Sequence, residues 1–243
     1  MDVVLFDIDG TLIRTGGAGV RAFAQTSALL HGRPGGTDGM SFHGRTDTSL
    51  VREYLRRHGL PETEEEIRRF LDVYVFLLGE ELRRHAGEVC PGVLEFLDAC
   101  RQLQPAPLMG LLTGNIRLGA ELKLRAHGLW EQFELGGFAD DHEDRDRIAE
   151  AAWRSAERHL GRSVSPEKIV VIGDTPKDIG CARAIGARVL AVATGGFDTE
   201  SLRGHAADWT VGILDEIEVE ELRRATMSSR SCGDNSLGGG FLV

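Results

Sequence analysis

Near the N-terminus stands a run that few folds can accommodate, Val3-Val4-Leu5-Phe6-Asp7-Ile8-Asp9-Gly10-Thr11. Four consecutive apolar residues, rich in β-branched and aromatic types, offer water no polar face, so they read as a strand buried on both sides. The strand delivers two carboxylates into a glycine-containing turn. If the extended backbone continues, alternation aims Asp7 and Asp9 roughly the same way. Two close negative charges repel unless a cation lies between them, so the pattern asks for a bound metal beside the strand end.

The chain after Cys90-Pro91-Gly92 repeats this grammar. Leu108-Met109-Gly110-Leu111-Leu112 ends in Thr113-Gly114-Asn115, and Ile169-Val170-Val171-Ile172 ends in Gly173-Asp174-Thr175-Pro176. A short strand is expected at 133–138 and another at 188–193, with helices over 93–102, 118–127, 148–160 and 177–185. Such alternation implies right-handed βαβ crossovers and an α/β fold with a parallel sheet. The polar residues fall at strand C-termini, where ligands bind in an open α/β sheet. The separate fragments therefore predict one site.

Residues 16–86 have another texture. Gly16, Gly17 and Gly19 suggest a hinge, and helical spacing follows over 20–31 until Gly32, Pro34, Gly35 and Gly36 break it. Thr46 or Asp47 can cap a helix running to 58, and Pro61 opens another to 85 whose acidic first turn suits the helix dipole. The expected organisation is an α/β core from residues 1–15 and 87–225, an inserted all-helical domain at 16–86, and a Ser/Gly-rich disordered tail at 226–243.

Charge narrows the function. Twenty-eight basic against thirty-eight acidic side chains leave a formal charge of −10, which opposes binding to nucleic acid or to an anionic membrane. An anionic substrate is repelled too. For a phosphate, the attraction must be local, from a metal ion, a few basic residues and backbone N–H groups. No run approaches the ~18 apolar residues that span a bilayer, and the order of a signal peptide is missing, so a soluble cytoplasmic protein is expected. Cys90, Cys100, Cys181 and Cys232 lack C-x-x-C spacing and read as reduced, mostly buried thiols.

Three motifs in this order, Asp7-x-Asp9-Gly10-Thr11, Thr113-Gly114-Asn115 and Gly173-Asp174-Thr175 followed by Asp178, resemble those of the haloacid dehalogenase superfamily, in its phosphoglycolate-phosphatase-like branch with a helical cap. The resemblance covers nearly all the chain to residue 225. It implies a Rossmann-like core, a cap formed by the inserted helices, and magnesium-dependent hydrolysis of a small phosphorylated metabolite. It makes Asp7 the nucleophile that forms an aspartyl-phosphate. Asp9 then protonates the leaving alkoxide and later takes a proton from water. Thr113 holds the transferring phosphoryl group, with Gly114 and Asn115 beside it. Asp7, the main-chain carbonyl of Asp9 and Asp174 surround Mg2+. Asp178 is either a further carboxylate, directly or through water, or a charge favoured at a helix N-terminus.

The sequence departs from the family in one place. A lysine, often in a Lys-Pro pair, is expected at the start of the helix before the Gly173-Asp174 strand, and none stands there. Arg145 and Arg147 are the basic residues in range; counting back from the helix favours Arg145, and Lys177 reads as a solvated helix residue. Phe42-His43-Gly44-Arg45-Thr46-Asp47 resembles the cap loop that faces the catalytic residues. Arg45 is then either a contact to the distal part of the substrate or a surface arginine paired with Asp47, and His43 lacks a partner for a metal role. Other chemistries use the same core. A 2-haloacid dehalogenase needs no proton donor where Asp9 stands, and a phosphonatase needs a lysine absent from the cap loop. A sugar phosphomutase stays open, whereas a non-catalytic regulatory module fits poorly with the intact set Asp7, Asp9, Thr113 and Asp174. Monomer and homodimer are both compatible with the sequence.

Overall fold

A computed structural model describes residues 1–85 and 87–227. From the N-terminus, β1 (Val3–Phe6) and β2 (Ile13–Arg14) precede three helices, α1 (Ala18–His31), α2 (Asp47–Arg57) and α3 (Glu64–Arg84). Next come β3 (Glu88–Val89), α4 (Val93–Gln102), β4 (Leu108–Leu112), α5 (Arg117–Arg125), β5 (Leu135–Gly137), α6 (Arg145–Leu160), β6 (Ile169–Gly173) and α7 (Pro176–Ala184). The chain continues through β7 (Arg188–Val192), α8 (Thr199–Arg203), β8 (Trp209–Val211) and α9 (Val219–Met227). The expected tail begins inside α9, and its remainder, 228–243, lies outside the described residues.

The sheet runs β5-β4-β1-β6-β7-β8, and every pairing is parallel. β1 sits between β4 and β6, with Phe6 opposite Leu111 on one side and Ile172 on the other. The chain first builds outward from β1 to β5, then returns to β1's other edge. That reversal opens a crevice at the C-terminal ends of the strands.

Alternation within β1 explains its unbroken apolar run. Val4 and Phe6 pack with Phe96, Leu97, Leu124 and Leu222 on one face of the sheet. Val3 and Leu5 pack with Ile148, Ala152, Ile179 and Ala182 on the other. Both faces are dry, and burying each such large side chain contributes about 1.5–3 kcal/mol.

The helices α1, α2 and α3 form a third cluster of their own, centred on Phe23, Tyr54, Phe70 and Tyr74. Phe23 and Phe70 lie 4.6 Å apart by ring centroids, and Phe23 meets Phe42 edge-on at 5.4 Å. A short antiparallel ribbon of β2 and β3, Ile13 opposite Val89, ties the two connections between this helical cap and the sheet. No described helix is long and apolar enough to cross a membrane.

Candidate active site

The register brings the three motifs together. Asp7 leaves β1 with its N–H donating to the Ile172 carbonyl at 2.9 Å, while the Thr113 N–H donates to Gly137 at 3.1 Å. Asp174 follows β6. Gly10 holds φ +88°, and a Cβ there would come within 2.5 Å of Asp174 Oδ2, so this turn needs glycine both for its left-handed backbone and for room beside the carboxylate. Thr11 Oγ1 donates to Asp174 Oδ1 at 3.1 Å.

Arg145 and Arg147 part company at the start of α6. Asp144 caps the helix by accepting from the Asp146 N–H, so the helix begins at Arg145, three residues earlier than its apolar periodicity suggests. Arg145 turns inward and donates from Nη2 to Asp7 Oδ1 at 3.2 Å and to Asp178. Arg147 stays exposed and pairs with Glu150.

Three carboxylates crowd this guanidinium. Asp7, Asp174 and Asp178 are buried, and each offers an oxygen within 4.8 Å of the others. Burial, then the Asp178 charge, pushes the Asp7 carboxyl well above the usual range, and Arg145 offsets only part of this. Asp174 is raised likewise by burial, Asp178 and Asp7, against the hydrogen bond from Thr11. Burial opposes the charge on Arg145, yet Asp178 and Asp7 outweigh it and hold the guanidinium protonated. Its Nε is a buried donor with no hydrogen-bond partner.

This donor set fits a hard divalent cation. Buried, mutually repelling oxygens with one monovalent counter-charge are what such an ion relieves. Asp7 and Asp174 are the better placed pair, because Asp178 is already engaged: one oxygen meets Arg145 and the other accepts from the Thr175 N–H and hydroxyl at 3.0 and 2.7 Å. Asp178 thus completes a capping box on α7, the helix-terminus reading of the two that the sequence leaves open.

On the other flank stands a residue that motif reading misses. Lys123, on α5 and only 4% exposed, donates from Nζ to Asp9 Oδ2 and to Asn115 Oδ1, both at 2.6 Å. Asn115 Nδ2 donates to Asp9 Oδ2 and to Thr113 Oγ1, both at 2.8 Å. The available signal is a lysine on the buried stripe of α5, between Ala120 and Leu124, one helix after Thr113-Gly114-Asn115.

The cap closes over this point. The Asp47 N–H donates to the Gly114 carbonyl at 2.7 Å, and Asp47 Oδ2 accepts from the Ile116 N–H at 2.8 Å. A Cβ on Gly114 would collide with the Arg45 carbonyl. Thr46, not Asp47, caps α2 by accepting from Ser49 N–H. Burial pushes the Asp47 carboxyl up to about 6 despite the opposing charge of Lys123. The Arg45 guanidinium pairs with Glu53 at 2.6 Å and touches Ser49, so its partner is Glu53 rather than Asp47. Between cap and sheet lies a cavity of about 220 Å³, with Asp7, Asp9, Thr113 and Lys123 at its floor and Phe23, Phe42 and Tyr74 among its walls.

Residues 1–186 match the family of haloacid dehalogenase-like hydrolases. Two curated relatives are each 26% identical: the "Probable phosphatase IndB" of Dickeya dadantii, over 88% of this chain and 91% of that protein, and the phosphoglycolate phosphatase of Synechococcus elongatus, over 86% and 92%. Among solved structures, a HAD hydrolase of family IA, variant 3, from Entamoeba histolytica superposes with a TM-score of 0.72 at 21% identity, covering 94% of this chain and 100% of that one. The sequence motifs, the switch-point sheet and a family match over most of the chain agree, and the protein belongs to the haloacid dehalogenase-like hydrolases.

Proposed function

We propose that this enzyme is a magnesium-dependent phosphatase that hydrolyses a small-metabolite phosphomonoester through an aspartyl-phosphate on Asp7. The observation that carries the reading is the convergence of Asp7, Asp9, Thr113, Asp174 and Arg145 on one cavity. The phosphatase names of its two curated relatives support the substrate class. Residues 1–15 and 87–225 act as the catalytic core in this reading, and 16–86 as the cap that excludes water. Small phosphorylated metabolites point to the cytoplasm as the place of action.

The carboxylate of Asp7 attacks phosphorus while the bond to the alcohol oxygen breaks. Asp9 gives its proton to the departing alkoxide. Asp9 then takes a proton from the water that attacks the aspartyl-phosphate, which releases phosphate and restores Asp7. Thr113, with Gly114 and Asn115, holds the phosphoryl oxygens. Arg145 does the same work as a planar fork where the family has a lysine. Asp7, Asp174 and the Asp9 carbonyl are the residues to hold Mg2+, with Asp178 behind them. When bound, the ion supplies positive charge to the nucleophile and to the phosphoryl oxygens. Arg45 remains the candidate for the distal part of the substrate, by exchanging its bond to Glu53 for one to the ligand.

A panel of phosphate esters assayed with magnesium or with chelator, beside Asp7→Asn, tests this. Turnover should require the metal and fall about 10⁴-fold or more in the variant, as loss of a nucleophile does. Turnover that survives either change refutes the mechanism.

A further inference from the structure

We infer that Lys123 is a positioning residue that aims Asp9 at the leaving-group oxygen; the inference rests on the phosphatase reading above. Asp9 lies beyond β1, in an isolated bridge to Ile13 rather than in the sheet, and its side chain is 41% exposed. A half-exposed aspartate samples several rotamers, and proton transfer requires one. Here a single oxygen, Oδ2, receives two donors, Lys123 Nζ at 2.6 Å and Asn115 Nδ2 at 2.8 Å. The other oxygen is left for the proton.

Lys123 and Asn115 are themselves fixed. The Lys123–Asn115 bond closes a triangle with Asp9, and Asn115 also bonds Thr113 Oγ1. The triangle therefore sets the distance between the residue that protonates the alcohol and the residue that holds the phosphoryl group. Burial makes this lysine costly. It occupies a buried position flanked by Ala120 and Leu124, where an apolar side chain avoids both desolvation of an ammonium and loss of its rotamer entropy. Asp47 adds its charge nearby, and Tyr74 adds a hydroxyl on the cavity wall.

The role is read by changing the leaving group. An alkyl phosphate needs its alkoxide protonated as it departs, whereas 4-nitrophenyl phosphate releases a stable phenolate and does not. The quantity is kcat/KM, which ends at release of the alcohol and omits later hydrolysis of the aspartyl-phosphate. For Lys123→Met we expect a loss of about 10²-fold with the alkyl ester and less than about 3-fold with the aryl ester, as for impaired general-acid catalysis. Asp9→Asn should show the same dependence, and Lys123→Met should add little in that background. Equal losses on both esters, or none on either, overturn the positioning role and leave the phosphatase reading standing. Absence of turnover in the wild type, or its survival in Asp7→Asn, overturns both. If thermal melting shows Lys123→Met misfolded, Lys123→Gln is compared in the same way, and failure of both to fold assigns Lys123 to structure and refutes the inference.

Discussion

On one flank of the β1 terminus Asp7 meets a guanidinium from α6, and on the other Asp9 meets an ammonium from α5. The first flank is short of positive charge: among the described residues, Asp7, Asp174 and Asp178 gather around the single cation bonded to them, Arg145, all of them buried. The second is nearly balanced, with Lys123 bonded to Asp9 and to a neutral amide, and Asp47 close by. In the proposed mechanism the excess negative charge of the first flank calls for a cation, and only with that cation in place would the flank accept an anionic phosphoryl group. Near-balance with fixed geometry suits the second to moving a proton. One strand end thus presents two chemically different sides because different helices supply the counter-charge.

Removing the cation from the deficient flank should have the largest effect. Arg145→Ala leaves two buried carboxylates unpaired, and kcat/KM for phosphate esters should fall about 10²- to 10³-fold, whereas Arg147→Ala, which breaks an exposed pair, should leave activity and stability within about 0.5 kcal/mol. The reverse order breaks the comparison.

Metal removal sharpens it next. Asp7 and Asp174 are pushed up to about 7 and about 8, so between about pH 4 and pH 8 the folded, chelated protein binds more protons than the unfolded chain and loses stability as pH rises. Bound magnesium would hold these groups as carboxylates. The gain in Tm on adding it should therefore grow with pH, reaching roughly 5–10 °C at a hundredfold excess over Kd; a gain independent of pH removes the charge-deficient flank from the account.

The smallest effect concerns Asp47. Its folded-state value of about 6 lies above the ordinary carboxylate range, so its ionisation costs stability as pH rises from about 4 to about 6. Asp47→Asn keeps an oxygen for the Ile116 N–H without the charge. Relative to wild type it should gain about 2 kcal/mol between pH 4 and pH 7 in denaturant titrations, and a flat difference shows that Lys123 already neutralises Asp47.

Residues at the ends of long apolar runs were legible in the sequence, because a strand buried on both faces has a distinctive composition and ends where its polar residues begin. Asp7, Thr113 and Asp174 come from such ends. The choice between Arg145 and Arg147 turns on a cap: Asp144 starts α6 earlier than periodicity suggests, and a two-residue shift around a helix exchanges inside for outside. Lys123 escaped because lysine ordinarily marks a solvated face, and only the packing of α5 under the cap reverses that. Asp47 looked like a helix cap because its bonds to Gly114 and Ile116 span more than sixty positions. The β2–β3 ribbon has two residues per strand, too few for any period to register.

The contact between α2 and the Gly114 turn has one more consequence. Any ligand that keeps the cap ajar strips the Gly114 carbonyl and the Ile116 amide of their shared partner, at about 1 kcal/mol for each bond lost. Those two groups flank Asn115, which anchors both Thr113 and Asp9. An oversized molecule would thus be penalised at the proposed reaction site: it would loosen the turn that the proposed chemistry depends on, and fit would be judged by the alignment of that turn as much as by the room between the walls.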